Sequence, residues 1–278
     1  MAKRPERAGP LEYSRKLWLR LWLLATLLFL YAPIAILILF SFNNSRRNIV
    51  WQGFTLDYYR KAAGDPSLLE AFTNTLTIGL ISTVISTVIG ALLALALWRF
   101  RFPGKPALEG ALALPIVIPE ICMGVALLAF FVRTGWPTQL PWPLNLGPIV
   151  IGHIAFSFPF VAIVVRARMA GFDRALEEAS KDLGAGEWQT FRNITLPGLS
   201  ETHVIVLSLA VIQAFKVFDL IYVMTYGGPG QTTQVLGTWM YFQSFQYYHA
   251  GYGAAIAWVI AAIVLAIAVP YIRRMSRS

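Results

Sequence analysis

The amino-acid sequence predicts an all-α, polytopic membrane protein with six transmembrane helices and both termini on the cytoplasmic side. Three features carry that expectation. Of 278 residues, 57% are hydrophobic and only 13% charged, too apolar for a domain that packs a single core in water. Uncharged runs of about twenty residues, the length that crosses a hydrocarbon layer of about 30 Å as a helix, recur along the chain. Lysine and arginine collect in alternate connections, with 17 in the segments assigned to the inside and 5 in those assigned to the outside. This is the asymmetry that orients membrane helices, and it accounts for the net charge of +9 without nucleic acid as a partner.

Residues 1–20 form a basic cytoplasmic head, with Lys3, Arg4, Arg7, Arg15, Lys16 and Arg20, and the uncharged run 21–42 follows it. A cleaved secretory signal has a similar head, but its apolar core is about 7–15 residues long and ends at small residues. This run is longer and ends in Ser41-Phe42-Asn43-Asn44, so a retained first helix is expected. Gly53, Gly64, Asp65 and Pro66 mark turns in the polar interval 43–70, where 54–59 can form a short surface helix. The second span, 71–98, sets Gly79, Ser82, Ser86 and Gly90 three or four apart, a strip on which another helix can close. Asn74 is its polar exception, as an interhelical hydrogen-bonding group or a cargo contact. Arg99, Arg101 and Lys105 close the segment, and Pro103-Gly104-Lys105-Pro106 reverses the chain.

The third hydrophobic segment, 110–132, is interrupted by Pro115, Pro119 and Glu120. Prolines free backbone carbonyls, and a carboxyl at that depth is costly unless it faces protein, water or a cargo path. Glu120 is therefore a candidate pathway residue, with a structural salt bridge or a neutral carboxyl as alternatives. A proline- and tryptophan-rich hinge, 134–143, suits the membrane interface, and 144–165 spans again with His153 expected as a satisfied core histidine. In the fifth span, 204–226, Lys216 and Asp219 stand three apart and share a face if the helix is continuous. They neutralise each other there or line the cargo path. Gly227-Gly228-Pro229-Gly230 ends that helix, and 231–249, without a lysine or arginine, reads as an interfacial or re-entrant outer segment. The sixth span is 250–272 and a basic tail, 273–278, closes the chain. The single cysteine, Cys122, excludes an intramolecular disulfide and is expected as a small buried hydrophobe.

A second long polar interval inside this apolar chain is 171–197. Asp173 is a plausible N-cap, Ala175, Leu176, Ala179 and Leu183 recur at helical spacing, and Gly184 with Gly186 supplies a stop. A second short helix can restart over 187–192, with Trp188 and Phe191 on one face, before Pro197. The expected result is a helix-turn-helix elbow on the cytoplasmic membrane surface. No phosphate-cradling loop, nucleophile-base pair or metal-spaced ligand set accompanies it, so no catalytic residue, metal or cofactor is assigned. Energy for transport then has to come from a partner that grips the elbow.

Glu178-Ala179-Ser180, Gly184-Ala185, Phe191, Ile194 and Leu196-Pro197 match the EAA signature of permease subunits in binding-protein-dependent (type I) ABC importers, which the chain resembles. Ser180 departs from the alanine usual there. The resemblance implies that Glu178, Ala179, Ser180, Asp182, Gly184, Ala185, Phe191, Ile194 and Pro197 couple the chain to an ATPase dimer. It further implies a core of five helices over 71–272, a second permease subunit, an extracytoplasmic binding protein and a prokaryotic inner membrane. From about residue 30 to 199 the likeness is to spermidine/putrescine permeases, through Tyr31-Ala32-Pro33-Ile34, Ile118-Pro119-Glu120-Ile121 and Val164-Val165-Arg166-Ala167-Arg168 among others. From about 203 onward, Gln213 to Asp219 and Val223 to Gly230 resemble sugar and glycerol-phosphate permeases. Polyamine is the expected cargo, with Glu120, Lys216 and Asp219 as candidate pathway residues. Sugar or glycerol phosphate is the alternative cargo, and an autonomous transporter or channel is the alternative class.

Overall fold

A computed structural model of the chain describes residues 17–135 and 146–275. The basic head up to Lys16, most of the expected hinge 134–143, the start of the span expected from 144, and 276–278 of the tail lie outside the described residues. The described residues are helical apart from connections and one isolated bridge between Asn43 and Phe54. Four helices are long and apolar enough to cross a membrane, and up to six spans result if each of two bent helix pairs is counted as one.

Helix α1 (Leu17–Ser41) is apolar along most of its length and packs mainly along the last helix, so most of its surface is left to lipid or a partner. The short helix expected over 54–59 begins later, as α2 (Asp57–Gly64), because Phe54 and Thr55 are held extended by the bridge to the 42–43 turn. Helix α3 (Pro66–Arg99) starts five residues before the expected second span. Asp65 accepts from the Ser67 amide at 3.0 Å and Pro66 needs no donor at the first position, a cap that converts the expected turn into a helix start.

Gly79, Ser82, Ser86 and Gly90 are all buried, and α3 lies parallel to α6 (Gly147–Ala170). Ile78 packs with Ile149 and Val150 at one end, and Ala94 with Val161 and Val165 at the other. A Cβ on Gly90 would sit 2.7 Å from the Phe158 carbonyl oxygen and from Val161 Cβ. Gly90→Val is therefore expected to cost about 1–3 kcal/mol by overpacking. A thermal melt of the purified chain in detergent should fall by about 2–4 °C per kcal/mol. An unchanged melting temperature would contradict this close approach.

The third segment is not one interrupted rod. Helices α4 (Lys105–Val117) and α5 (Glu120–Thr134) meet at 107° across Ile118-Pro119. Pro119 lacks a donor and drives Ile118 to the extended conformation, φ −71° and ψ 129°, whereas Pro115 is absorbed inside α4. Cys122, expected buried, is exposed on α5, where the single chain leaves that face open. His153 is buried as expected, and its Nδ1 has no hydrogen-bond partner among the described residues.

Beyond α6, the elbow comprises α7 (Arg174–Asp182), α8 (Glu187–Thr190), a π-turn (Phe191–Thr195) and α9 (Leu196–Gly198). The fifth span then breaks into α10 (Ser200–Lys216) and α11 (Asp219–Met224). Lys216 ends one helix and Asp219 begins the next, so the expected shared face does not exist, and among the described residues no ion pair joins them. Packing from α12 (Leu236–Tyr241) accompanies this break: Gly237 lies so close that an added Cβ would be 2.9 Å from the Val217 carbonyl oxygen. Helix α12 is buried, with Leu236 and Trp239 against α3 and α13 (Ala250–Met275). Asn74 fixes the segment leading into α12, donating to the carbonyls of Thr232 at 3.0 Å and Gln234 at 2.9 Å. It makes the structural contact of its two expected roles.

Candidate functional site

The elbow inverts the usual amphipathic arrangement. On α7, Leu176 is exposed while the neighbouring Glu177 is buried, and Leu183 just beyond is 89% exposed. Asp173 caps the helix as expected, accepting from the Ala175 amide at 2.9 Å. Gly184 adopts φ +87°, and its amide donates to the Lys181 carbonyl at 2.8 Å while that of Ala185 donates to the Ser180 carbonyl at 3.1 Å. A left-handed glycine stop is what lets the chain turn sharply into α8. Ser180 Oγ stands 3.2 Å from Thr190 Oγ1, so the departure from alanine adds a cross-link between the two arms.

Of the sequence-assigned coupling residues, Glu178, Ala179, Asp182 and Pro197 are exposed, whereas Ala185 and Ile194 are half-buried. Phe191 packs on Trp188 with ring centroids 5.5 Å apart, leaving Trp188 68% exposed. Leu176, Leu183 and Trp188 thus form an apolar ridge with Glu178 and Asp182 beside it, a surface that a partner can cover.

Sequence reasoning missed the group that holds the elbow in place. Arg99, the last residue of α3, donates to Glu177 at 2.8 Å and to Glu187 at 3.0 Å, so one guanidinium grips both arms. Glu177 also accepts from Thr195 Oγ1, and Glu187 accepts from Lys181. Arg174 lies over the Trp98 ring, 4.4 Å from its centroid, and donates to the Trp98 carbonyl at 3.1 Å. Arg99, Arg174, Glu177, Lys181 and Glu187 line a cavity of about 610 Å³ between the end of α3 and the elbow. The hydrogen bond from Lys181, aided by the charges of Lys181 and Arg99, holds the Glu187 carboxyl below its ordinary 4.5. Its contribution is present at neutral pH and is lost as pH falls through that lowered value. A carboxyl-carbon NMR titration should give a midpoint below 4.5 that rises in Lys181→Met.

The second arrangement is the pair of helix breaks. Glu120 opens α5 and Asp219 opens α11, and the two short helices lie side by side, with Gly124 against Val223 and Leu220. Glu120 is within electrostatic reach of both Asp219 and Lys216. The three sequence-assigned pathway residues are thus brought to one place, although the route is two breaks rather than one helical face.

Comparison with known proteins gives a consistent picture. The model of the binding-protein-dependent transport system inner membrane component family matches residues 86–277. The spermidine/putrescine transport system permease protein PotC of Escherichia coli (strain K12) is 43% identical over 169 residues, 61% of this chain and 62% of that protein. The chain thus matches less than two thirds of the length of this relative. The putrescine transport system permease protein PotI of the same strain is 32% identical over 226 residues, 80% of this chain and 79% of its own length. A crystal structure of a bacterial ABC transporter involved in alginate import superposes with a TM-score of 0.75 at 22% identity, covering 96% of this chain and 95% of that one. That similarity shows the shared fold. The protein belongs to the family of binding-protein-dependent transport system inner membrane components.

Proposed function

We propose that the chain is a membrane permease subunit of a polyamine-importing ABC transporter. It forms part of the path for cargo handed over by an extracytoplasmic binding protein, pairs with a second permease, and is driven by a separate ATPase dimer docked on 171–197. It hydrolyses nothing itself. The reading places both termini and the elbow in the cytoplasm, with residues 1–20 and 273–278 as basic flanks, 21–42 as a peripheral helix and 71–272 as the core. The observation that carries the cargo is the 43% identity to a permease named for spermidine and putrescine. Support for the motor comes from an apolar ridge exposed on an elbow that is otherwise locked by ion pairs.

The test is uptake by the complex reconstituted in proteoliposomes. Labelled spermidine should enter only with ATP and the ATPase subunit present, with excess putrescine competing and sugars or glycerol phosphate without effect. Competition by a sugar instead would transfer the assignment to the second cargo class. Uptake without the ATPase would favour an autonomous transporter.

A further inference from the structure

We propose that the groove between α2, α3 and α13 binds one anionic phospholipid, with its acyl chain in the groove and its phosphate at Lys61 and Arg46. The site lies apart from the cargo reading and does not rest on it. At the end of α3 opposite Arg99, a cavity of about 300 Å³ is lined by Tyr59 and Ala63 of α2, Leu69 and Phe72 of α3, and one side of α13. The Tyr59 hydroxyl is engaged with Ser41 Oγ at 2.6 Å, so the lining offers a guest only apolar surface. On α13 the lining residues Ile256, Val259 and Ile263 stand three and four apart, a single stripe about 10 Å long. Tyr252, four residues before Ile256, continues that stripe to the polar end of the helix. Ala63 and Leu69 are exposed, so the groove opens to whatever surrounds the chain. Around a membrane helix that is hydrocarbon, and an unfilled groove would forfeit its packing contacts.

Charge at the mouth of the groove selects the guest. Lys61 Nζ lies 4.3 Å from the centroid of the Tyr252 ring, at the head of the apolar stripe. Arg46 reaches the same turn of α13: it donates to the Tyr247 carbonyl at 3.2 Å, and its own carbonyl accepts from the Gly251 amide at 3.4 Å. A Cβ on Gly251 would lie 2.6 Å from the Tyr58 ring and 2.8 Å from the Ser45 carbonyl oxygen, so α2 and the segment carrying Arg46 are both seated on α13. Among the described residues neither cation has an ion-pair partner. The neighbouring carboxylates are engaged elsewhere. Asp57 pairs with Arg60 at 3.2 Å, and Asp65 accepts from the Ser67 amide and, at 2.6 Å, from the Tyr252 hydroxyl. Setting Asp65 against Lys61 and Arg46 still leaves a surplus positive charge. Cations directly above an apolar groove match a phospholipid, whose phosphate stands directly above its chains, and each such cation adds attraction for an anionic lipid. A helix from a second subunit could fill the groove but would leave the cations without a partner.

The experiment uses the complete complex in phosphatidylcholine liposomes containing phosphatidylglycerol with a photoactivatable group on its acyl chain. Labelling should concentrate on the peptides containing 59–72 and 256–263. Unlabelled phosphatidylglycerol should compete for these peptides, and additional phosphatidylcholine should not. Helix α1, most of whose surface is open to lipid, reports bulk contact in the same sample, and its labelling should not depend on the headgroup of the competitor. Lys61→Gln and Arg46→Gln should each weaken competition by phosphatidylglycerol about fivefold, the worth of one cation near a membrane surface. Ala63→Trp, made at an exposed position on the edge of the groove, should abolish the excess labelling over α1. The wild-type labelling pattern stands even where a variant fails to assemble. Labelling of the groove no stronger than that of α1, or equal competition by the two lipids, overturns the site. Labelling of the groove in the isolated chain but not in the complex overturns it too, by showing that another subunit fills the groove.

Discussion

Leu183→Asp is expected to strip the ATPase from the complex while leaving the permease itself folded. Leu183 is 89% exposed, so the chain alone loses almost no packing and its thermal melt should match wild type. In the assembled transporter the same position would put an unpaired carboxylate into an apolar contact, beside the existing charges of Glu178 and Asp182. An uncompensated charge buried in this way costs about 3–5 kcal/mol. That corresponds to roughly a hundred- to a thousandfold or more in affinity. Pull-down of the ATPase by the tagged permease reads the effect directly. Undiminished retention of the ATPase would remove the elbow from the docking interface, whatever the variant does to uptake. Trp188→Ala, which deletes the other exposed face of the ridge, should weaken retention in the same direction without introducing a charge.

The two leucines on that ridge also mark what could and could not be read before the fold was known. Local chemistry was legible. The Asp173 cap, the glycine stop at Gly184 and the small-residue strip from Gly79 to Gly90 each depend on neighbours within a turn or two, and each forms where its residues demand it. Pro119 was read as an interruption, but proline specifies only that hydrogen bonding fails. The 107° angle between α4 and α5 is set by what the two halves pack against.

The break at Val217-Phe218 had no local signal at all, since neither proline nor glycine lies near it. It coincides with the approach of Gly237 from α12, and a sequence periodicity cannot report a neighbour twenty residues away. That is why Lys216 and Asp219 were assigned to one face when they occupy two helices. It is also why the three candidate pathway residues come together by a geometry other than one helical face. Glu177 is the sharpest case. Beside Glu178 in an apparently solvated run, it gives no sign that its carboxylate is buried, because the groups that satisfy it are Thr195 and, 78 residues earlier, Arg99.

Arg99→Ala is expected to uncouple the transporter without dissociating it. Arg99 is the point at which the elbow is tied to α3, and α3 runs from there to the start of α12, held by Asn74 and Thr75. Removing the guanidinium leaves the Glu177 carboxylate, whose side chain is only 10% exposed, with Thr195 as its remaining side-chain partner. It also frees α8 from α3. Hydrogen bonds to charged groups contribute about 1.5–3 kcal/mol, and the partial exposure of Arg99 places the loss near the lower end. Leu183, 89% exposed, lies outside this contact, so the ATPase should stay bound and continue to hydrolyse ATP. Uptake per ATP should fall at least about tenfold, as expected when a rigid link worth more than 1.4 kcal/mol is lost. Lysine at this position retains the charge but not the planar fork that reaches two carboxylates, so Arg99→Lys should recover only part of the coupling. Pairing Arg99→Ala with Glu177→Gln removes the stranded charge and should restore stability more than it restores uptake, since the tie itself stays broken. Normal uptake per ATP in Arg99→Ala would mean that force reaches α3 by another contact, and Arg174, stacked on Trp98 one residue earlier, is the next group to replace.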